Sequence, residues 1–166
     1  MVAILNNLRS LHNVGSLFRT ADTLGIEKLY LCGITPTPID RFGKIRQQLA
    51  KVSLGAEKYV PWEKAGSALK VIKKLKNAGY KILSIEQSKK SIPYFKLKVG
   101  SFPPKADPPP AEKSKVALIV GNEIRGLPKT ILGASDKILE IPMRGQKESL
   151  NVGVAFAIVA FHIRNN

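Results

Sequence analysis

The sequence predicts an α/β fold built on a parallel sheet. Short apolar runs alternate with stretches of helical period, which is the strand–helix–strand order of such a sheet. The run at Val116–Val120 is apolar at every position, as expected for a central strand. The last stretch, Leu150–Ile163, is apolar nearly all round, so we expect a helix buried on several sides. A chain of 166 residues is predicted to form a single domain, 1–166.

The first third of the chain predicts one strand–helix–strand unit. Val2–Leu5 has the composition of a strand, and the two asparagines after it are typical of a turn. Asn13 is a candidate N-cap for a helix that runs to about Leu24. Lys28–Cys32 is a second short apolar run, so two parallel strands should flank this helix.

The middle of the chain is basic and ends in a proline-rich stretch. Arg41–Lys51 is predicted to be helical, and its cations indicate either contacts with phosphate or an ordinary solvated face. The prolines of Ser101–Ser114 predict an extended loop within the domain. The other predicted elements are a strand at Glu57–Val60, an amphipathic helix at Trp62–Ala78 with Leu69, Ile72 and Leu75 facing inward, and a strand at Lys81–Glu86.

A glycine-containing loop follows the central strand. The glycines of Gly121–Pro128 permit a tight turn or a close approach of the backbone to a ligand. Leu127-Pro128 stands where a phosphate-binding loop needs Lys-Ser/Thr, which excludes a nucleoside triphosphatase of that class. A short helix is predicted at Pro128–Leu132.

The end of the chain predicts a strand, a polar loop and the apolar helix. The strand Ile138–Ile141 is stopped by Pro142, which has no backbone N–H to donate. Ser149 is a candidate N-cap for the helix that follows. Ser149 and Asn151 are therefore either ordinary capping residues or part of a ligand cradle at a helix N-terminus.

Composition favours a nucleic-acid partner. The formal net charge is +15, which suits a polyanion such as RNA or DNA, although a generally basic surface would give the same value. The single cysteine, Cys32, excludes an intrachain disulfide and is expected to be buried in a strand. The two histidines, His12 and His162, are far apart, so no metal site is predicted. Without an apolar stretch long enough for a membrane or a signal peptide, we expect a cytoplasmic protein with no membrane partner.

Three segments with polar residues and glycines carry a family resemblance. In chain order they are Asn6–Gly25, Leu118–Leu127 and Ile141–Ala155. In that order they resemble the motifs of the SpoU (TrmH-like) RNA 2′-O-methyltransferases, a family of the SPOUT superfamily. The similarity covers most of the chain and leaves out the proline-rich stretch.

This resemblance implies a fold, a cofactor and a reaction. The implied fold is a SPOUT-type parallel sheet with helices on both faces and a deep trefoil knot at its C-terminal end, which is a rare exception to unknotted connections. The implied cofactor is S-adenosyl-L-methionine, bound in the knot of a homodimer whose active site lies near the two-fold interface. The implied reaction is methylation of a ribose 2′-hydroxyl in tRNA or rRNA. A SPOUT base methyltransferase of the guanine-N1 type and a knotted RNA-binding module without catalysis stay open as alternatives.

The resemblance also assigns roles by position. Arg19 matches the catalytic arginine, Asn13 the asparagine of the first motif, and Glu123 the glutamate of the second. Ser149 and Asn151 match the polar pair of the third motif. The positions that match cofactor contacts are Gly121, Ile141 and Leu150, and Ile85 is added because it lies at the end of its strand.

The role of Arg19 has more than one interpretation. A ribose 2′-hydroxyl is a poor nucleophile until its proton is removed or well hydrogen-bonded. Arginine is a strong cation, so Arg19 either accepts that proton, as proposed for the family, or clamps a phosphate and stabilises the developing alkoxide. From the sequence alone, Asp22 could also hold Arg19 in a surface ion pair.

Overall fold

Parallel strands form one seven-stranded sheet in the computed structural model, which describes residues 1–97 and 115–165. The strands are β1 (Val2–Asn6), β2 (Lys28–Cys32), β3 (Trp62–Ala65), β4 (Lys81–Ile85), β5 (Ile92–Pro93), β6 (Val116–Val120) and β7 (Lys137–Glu140). Their order across the sheet is β3-β2-β1-β6-β4-β7-β5, and each pairing is parallel. The carboxyl ends of the strands therefore lie along one edge of the sheet, and the predicted α/β class is confirmed.

Helices pack on both faces of this sheet, as predicted. They are α1 (Leu11–Thr23), α2 (Gln47–Ser53), α3 (Ala68–Asn77), α4 (Lys129–Ala134) and α5 (Val152–Asn165). Ala3 and Leu5 of β1 belong to one buried cluster, which includes residues of α1, α2 and α5. Val2 and Ile4 of the same strand belong to a second cluster with residues of α3 and α4. This alternation follows from the two-residue period of a strand, and each face has its own core.

The predicted elements between β2 and β4 are partly wrong. A 3₁₀ helix at Ala56–Lys58 occupies the region of the predicted strand Glu57–Val60. The predicted helix Trp62–Ala78 is two elements, since Trp62–Ala65 pairs with β2 and the helix starts at Ala68. The physical reason is that the buried helical stripe begins there. It consists of Ala68, Val71, Ile72 and Leu75, while Leu69 is 42% exposed rather than inward.

The basic segment Arg41–Lys51 is helical only in its second half. Its helix is α2, Gln47–Ser53. Residues 39–45 instead form a hairpin closed by an antiparallel bridge between Ile39 and Ile45. Gly43 has φ +78°, a conformation that a helix excludes.

Both predicted N-caps lie close to the true helix starts but are wrong. The cap of α1 is Ser10, whose hydroxyl accepts from the N–H of Asn13 at 3.2 Å. For α5 the capping side chain is Asn151, whose Oδ1 accepts from the N–H of Gly153 at 2.9 Å. Ser149 lies in the loop before the helix. Both errors arise because several residues near each start have capping side chains.

The last helix is covered on one side only within the chain. Phe156, Val159 and Ile163 are buried, but Val154 and Phe161 are 48% and 41% exposed. The expectation of burial on several sides is therefore not met by a single protomer. Among the described residues, no helix is long and apolar enough to cross a membrane. The predicted loop Ser101–Ser114 lies outside the described residues.

A glycine in α1 gives a test of the packing between α1 and α2. A Cβ on Gly15 would lie 2.6 Å from the carbonyl oxygen of Leu49. Gly15→Ala should therefore lower the free energy of unfolding by about 1–3 kcal/mol, measured by urea denaturation. In α4, a Cβ on Gly133 would meet nothing within 4 Å, so Gly133→Ala should leave stability unchanged or raise it by up to ~1 kcal/mol. Equal effects of the two substitutions would contradict this packing.

Candidate functional site

A cavity of about 390 Å³ opens at the carboxyl edge of the sheet, beside the ends of β4, β6 and β7. This edge is where parallel α/β sheets bind their ligands. The cavity brings together the three motif segments, which are far apart in the sequence. Its lining includes Asn13, Glu123, Ser149 and Asn151 of the predicted catalytic set, and Ile85, Gly121, Ile141 and Leu150 of the predicted cofactor set.

A chain of hydrogen-bonded side chains joins the three motifs. Asn151 Nδ2 donates to Asn13 Oδ1 at 3.0 Å, and Asn13 Nδ2 donates to Glu123 Oε1 at 3.0 Å. Since Asn151 also caps α5, its amide is held at both ends. Asn13 is 8% exposed, so the central amide of this chain is buried, and both its nitrogen and its oxygen are hydrogen-bonded. We call Asn151, Asn13 and Glu123 the amide chain.

The carboxylate of Glu123 accepts hydrogen bonds from the start of α1 as well. The backbone N–H groups of Arg9 and Ser10 donate to it at 3.1–3.3 Å. Desolvation acts to raise the pKa of Glu123, but the hydrogen bonds from Asn13 and from backbone N–H groups outweigh it, and the net pKa is lowered. Glu123 is therefore held as an anion that fixes the second motif to the first.

The loop after β6 is closed so tightly that Gly121 has no room for a side chain. A Cβ there would lie 2.6 Å from the carbonyl carbon of Gly126 and 2.7 Å from the N of Leu127. Asn122 holds the turn from inside, because its Oδ1 accepts from the N–H groups of Ile124 and Arg125 at 3.0 Å each. Its Nδ2 donates to the carbonyl of Asn7 at 2.8 Å, which ties this loop to the end of β1.

Sequence reasoning missed Glu86 and Gln87, which follow β4 and also line the cavity. Glu86 Oε2 accepts from the N–H of Leu127 at 2.7 Å, and Gln87 Nε2 donates to the carbonyl of Glu148 at 2.5 Å. The two residues thus hold the loop after β6 and the loop before α5 on either side of the cavity. The signal that could identify them is their position at the carboxyl end of a buried parallel strand, directly after Ile85.

Arg19 is the predicted catalytic residue that the chain does not bring to the cavity. It lies on α1, is exposed, and does not line the cavity beside Asn13. The described part of the chain shows no ion pair between Arg19 and Asp22, so that interpretation of the sequence finds no support. Its catalytic role stays a prediction.

The described residues contain no group of three or more His, Cys, Asp and Glu side chains that could hold a metal ion. Cys32 is buried in β2, as expected, and burial raises its pKa to about 11. This thiol is far from its reactive thiolate form at neutral pH.

Comparison with known sequences gives one family. A sequence model described as the SpoU rRNA Methylase family matches residues 1–161. A protein of Staphylococcus haemolyticus whose name assigns it to the TrmH family of tRNA/rRNA methyltransferases is 30% identical over 162 residues. A protein of the same name from Staphylococcus saprophyticus is 28% identical over 162 residues. Each match covers 98% of this chain but 57% of the relative, so the chain spans a little over half the length of these relatives.

Solved structures share the fold. The TrmH/SpoU tRNA modifying enzyme of A. aeolicus superposes with a TM-score of 0.79 at 26% identity, over 99% of this chain and 73% of that one. An AdoMet-bound rRNA methyltransferase of Sinorhizobium meliloti superposes with a TM-score of 0.82 at 24% identity, over 99% of this chain and 55% of that one. The second likeness bears on the fold alone.

The lowered pKa of Glu123 predicts a pH-dependent contribution to stability. Ionised Glu123 stabilises the fold above its unfolded-state pKa, and this contribution is lost as pH falls through the lowered folded-state pKa. Glu123→Gln should therefore cost about 1 kcal/mol at pH 7, a figure discounted for the exposure of Glu123. The cost should shrink as urea unfolding is repeated at decreasing pH down to about 3. Glu148→Gln is the control, because it removes a charge from the same cavity without touching the amide chain, and a pH-independent cost at Glu123 would contradict the prediction.

Proposed function

Because the chain belongs to the SpoU rRNA Methylase family, we propose that it is an S-adenosyl-L-methionine-dependent RNA methyltransferase that methylates a ribose 2′-hydroxyl in tRNA or rRNA. The observation that carries the proposal is the amide chain, which draws the three motif segments to one cavity. The intact set of Asn13, Glu123 and Asn151 argues against a binding module without catalysis.

The cavity fits a methyl donor of nucleoside size. Its volume of about 390 Å³ lies within the usual range for small-molecule sites. The apolar side chains of Ile85, Ile141 and Leu150 suit a flat base, while Gln87 and Ser149 offer polar groups that can fix its orientation. When bound, S-adenosyl-L-methionine supplies an electrophilic methyl group on a sulfonium.

The protein residues would position the ribose oxygen for attack on the methyl group and would stabilise the charge that develops on it. The ribose oxygen must approach the methyl group in line, so a rigid site contributes more than a strong base does. The amide chain supplies that rigidity at Asn151 and Asn13. Arg19 is proposed to hold the phosphate beside the reacting ribose and to stabilise negative charge that develops on the 2′-oxygen.

A homodimer is proposed because it would complete this site. Val154 and Phe161 on α5, together with Leu150 just before it, form an apolar stripe that is 41–48% exposed in the single chain. Burying such a stripe against a second copy is favourable. With the active site near the two-fold interface, Arg19 of one protomer would serve the cavity of its partner, which would explain why it does not line its own.

We further propose that the chain forms a single domain. Strands from both sides of the segment 98–114 share one sheet, which supports a single domain at 1–166. The deep trefoil knot is proposed from the family likeness, and a cytoplasmic location and a reaction that needs no metal are proposed from the sequence.

Product analysis tests the reaction itself. The protein is incubated with unmodified total RNA and isotopically labelled S-adenosyl-L-methionine, and the RNA is digested to nucleosides for mass spectrometry. Label in a ribose-methylated nucleoside supports the proposal. Label on a guanine base would favour the guanine-N1 alternative. Absence of cofactor binding by calorimetry at millimolar ligand would favour the non-catalytic module.

Gly121→Ala should weaken binding of S-adenosyl-L-methionine at least about tenfold in calorimetry. The added Cβ meets the backbone at Gly126 and Leu127, so the loop that borders the cavity has to move. Gly66→Ala is the matched control, since a Cβ there would meet nothing within 4 Å, and it should bind the cofactor like the wild type. Wild-type affinity in Gly121→Ala would remove this loop from the cofactor site.

Mixing Arg19→Ala with Gly121→Ala, at a cofactor concentration too low for Gly121→Ala to be active alone, tests the role of Arg19 across the interface. Arg19→Ala should bind the cofactor but lose methyl transfer by about a hundredfold or more. When Arg19→Ala and Gly121→Ala are mixed and allowed to exchange subunits, half of the dimers are mixed and each has one intact site. Activity should therefore return to about a quarter of the wild-type value. If methyl-transfer activity does not recover in the mixed dimers, Arg19 acts on the cavity of its own protomer.

A further inference from the structure

The hairpin at residues 39–45 has a fixed shape although it is fully on the surface. Asp40 organises it, because its Oδ1 accepts from the N–H groups of Phe42 and Lys44 at 2.8 and 2.9 Å. The N–H of Asp40 donates to the carbonyl of Lys44 at 2.8 Å, and Gly43 adopts φ +78° at the turn. The tip is thus a closed turn rather than a loose loop.

The stem of the hairpin is anchored to the carboxyl edge of the sheet. Thr35 is fully buried, accepts from the N–H of Leu8 at 3.0 Å, and donates to the carbonyl of Leu5 at 2.8 Å. Lys64 Nζ donates to the carbonyls of Gly33 and Thr35 at 2.6 Å each. At the far end of the stem, the N–H of Arg46 donates to the carbonyl of Pro38 at 2.8 Å.

This rigid element presents an aromatic ring between two cations. Phe42 is 70% exposed, and the guanidinium of Arg41 lies 4.7 Å from its ring centroid. Lys44 is exposed on the other side of the turn. The carboxylate of Asp40 is engaged by backbone N–H groups, so Arg41, Lys44 and Arg46 dominate the local charge. Isolated exposed apolar residues are common, but a ring held out on an ordered, cationic turn is not explained by packing.

We propose that this hairpin binds the RNA substrate, with Phe42 stacked on an unpaired base and Arg41 and Lys44 on adjacent phosphates. Unpaired bases in RNA are bound by stacking on aromatic side chains and on arginine planes, and cations hold the backbone. The inference rests on the proposed function, because it assigns that same substrate a second contact away from the reacting ribose.

The position of the hairpin suits this role. It extends from the carboxyl end of β2, at the edge of the sheet that also holds the cavity. Two strand spacings separate β2 from β6, or roughly 10 Å at the root of the hairpin. The contacted nucleotide would therefore lie a short distance along the strand from the modified one. A second copy of the chain is the less favourable occupant of this hairpin, because Arg41, Lys44 and Arg46 would face another basic chain, whereas the apolar stripe proposed for the dimer holds no cation.

The test measures binding of three fluorescein-labelled RNAs by anisotropy: a 12-nucleotide single strand, the matching duplex, and bulk unmodified tRNA. Phe42→Ala should bind the single strand and the tRNA about tenfold more weakly, with little change for the duplex. Phe42→Trp should restore binding and Phe42→Leu should not, since leucine keeps the apolar bulk without a ring. Tyr59→Ala is the control for removal of an exposed ring, since Tyr59 is 77% exposed and lies outside the hairpin; it should bind like the wild type.

The salt dependence of RNA affinity distinguishes the contribution of the cations from that of the Phe42 ring. Arg41→Gln and Lys44→Gln should each reduce the slope of log K against log salt by about 0.7, the value for one phosphate contact on a single strand, whereas Phe42→Ala should leave the slope unchanged.

Calorimetry with S-adenosyl-L-methionine should give wild-type affinity for every hairpin variant. Binding of RNA without methylation by the wild type would overturn the proposed function but not this inference. Wild-type RNA affinity in Phe42→Ala, no RNA binding by the wild type, or a change of oligomeric state in Phe42→Ala on light scattering would each overturn the hairpin assignment.

Discussion

The hydrogen bonds of the amide chain are the constraint on which the site depends. They link Asn13 to residues that are 110 and 138 positions away along the chain. A buried amide that loses its partners costs about 1–3 kcal/mol, so Asn13 is stable in its buried position only when Glu123 and Asn151 are in place. The start of α1, the loop after β6 and the start of α5 consequently hold one another in place. A substitution in any of these elements can therefore alter the shape of the cavity even when the substituted residue does not contact a ligand.

The parallel sheet makes such a meeting possible. Its strands all end at one edge, so loops from distant parts of the sequence converge there without any long excursion of the chain. β6 lies between β1 and β4, which puts the second motif beside the first on one side and beside Glu86 and Gln87 on the other. The loop before α5 then closes the third side through Gln87 and Asn151. The order of the strands therefore determines which loops surround the cavity, and side-chain hydrogen bonds then hold those loops together.

The sequence was informative where a residue type had one structural explanation. The fully apolar Val116–Val120 indicated a central buried strand, and the alternation of strands with helices indicated a parallel sheet. It was less informative where several residues could do the same task, as with Ser10 and Asn13 at one helix start and Ser149 and Asn151 at the other. Trp62–Ala65 was misassigned because an edge strand needs only a neighbour to pair with, and that neighbour is distant in sequence. Glu86 and Gln87 were missed for the same reason, since their partners lie in loops that only the fold brings near. Arg19 is the opposite case, because a sequence motif identifies it although it does not line the cavity of its own chain.

The distribution of charge separates the two proposed ligands. The chain carries +15, yet the described residues that line the cavity include Glu86, Glu123, Glu140 and Glu148 and no lysine or arginine. A polyanion is therefore attracted to the molecule as a whole and repelled from the depth of the cavity, while a small sulfonium cation is not. Cations that meet phosphate must then stand outside the cavity, as Arg19 on α1 and Arg41 and Lys44 on the hairpin do. The nucleic acid would lie across the rim and present only its reacting ribose inward, which is the geometry that transfer of a methyl group to a single hydroxyl requires.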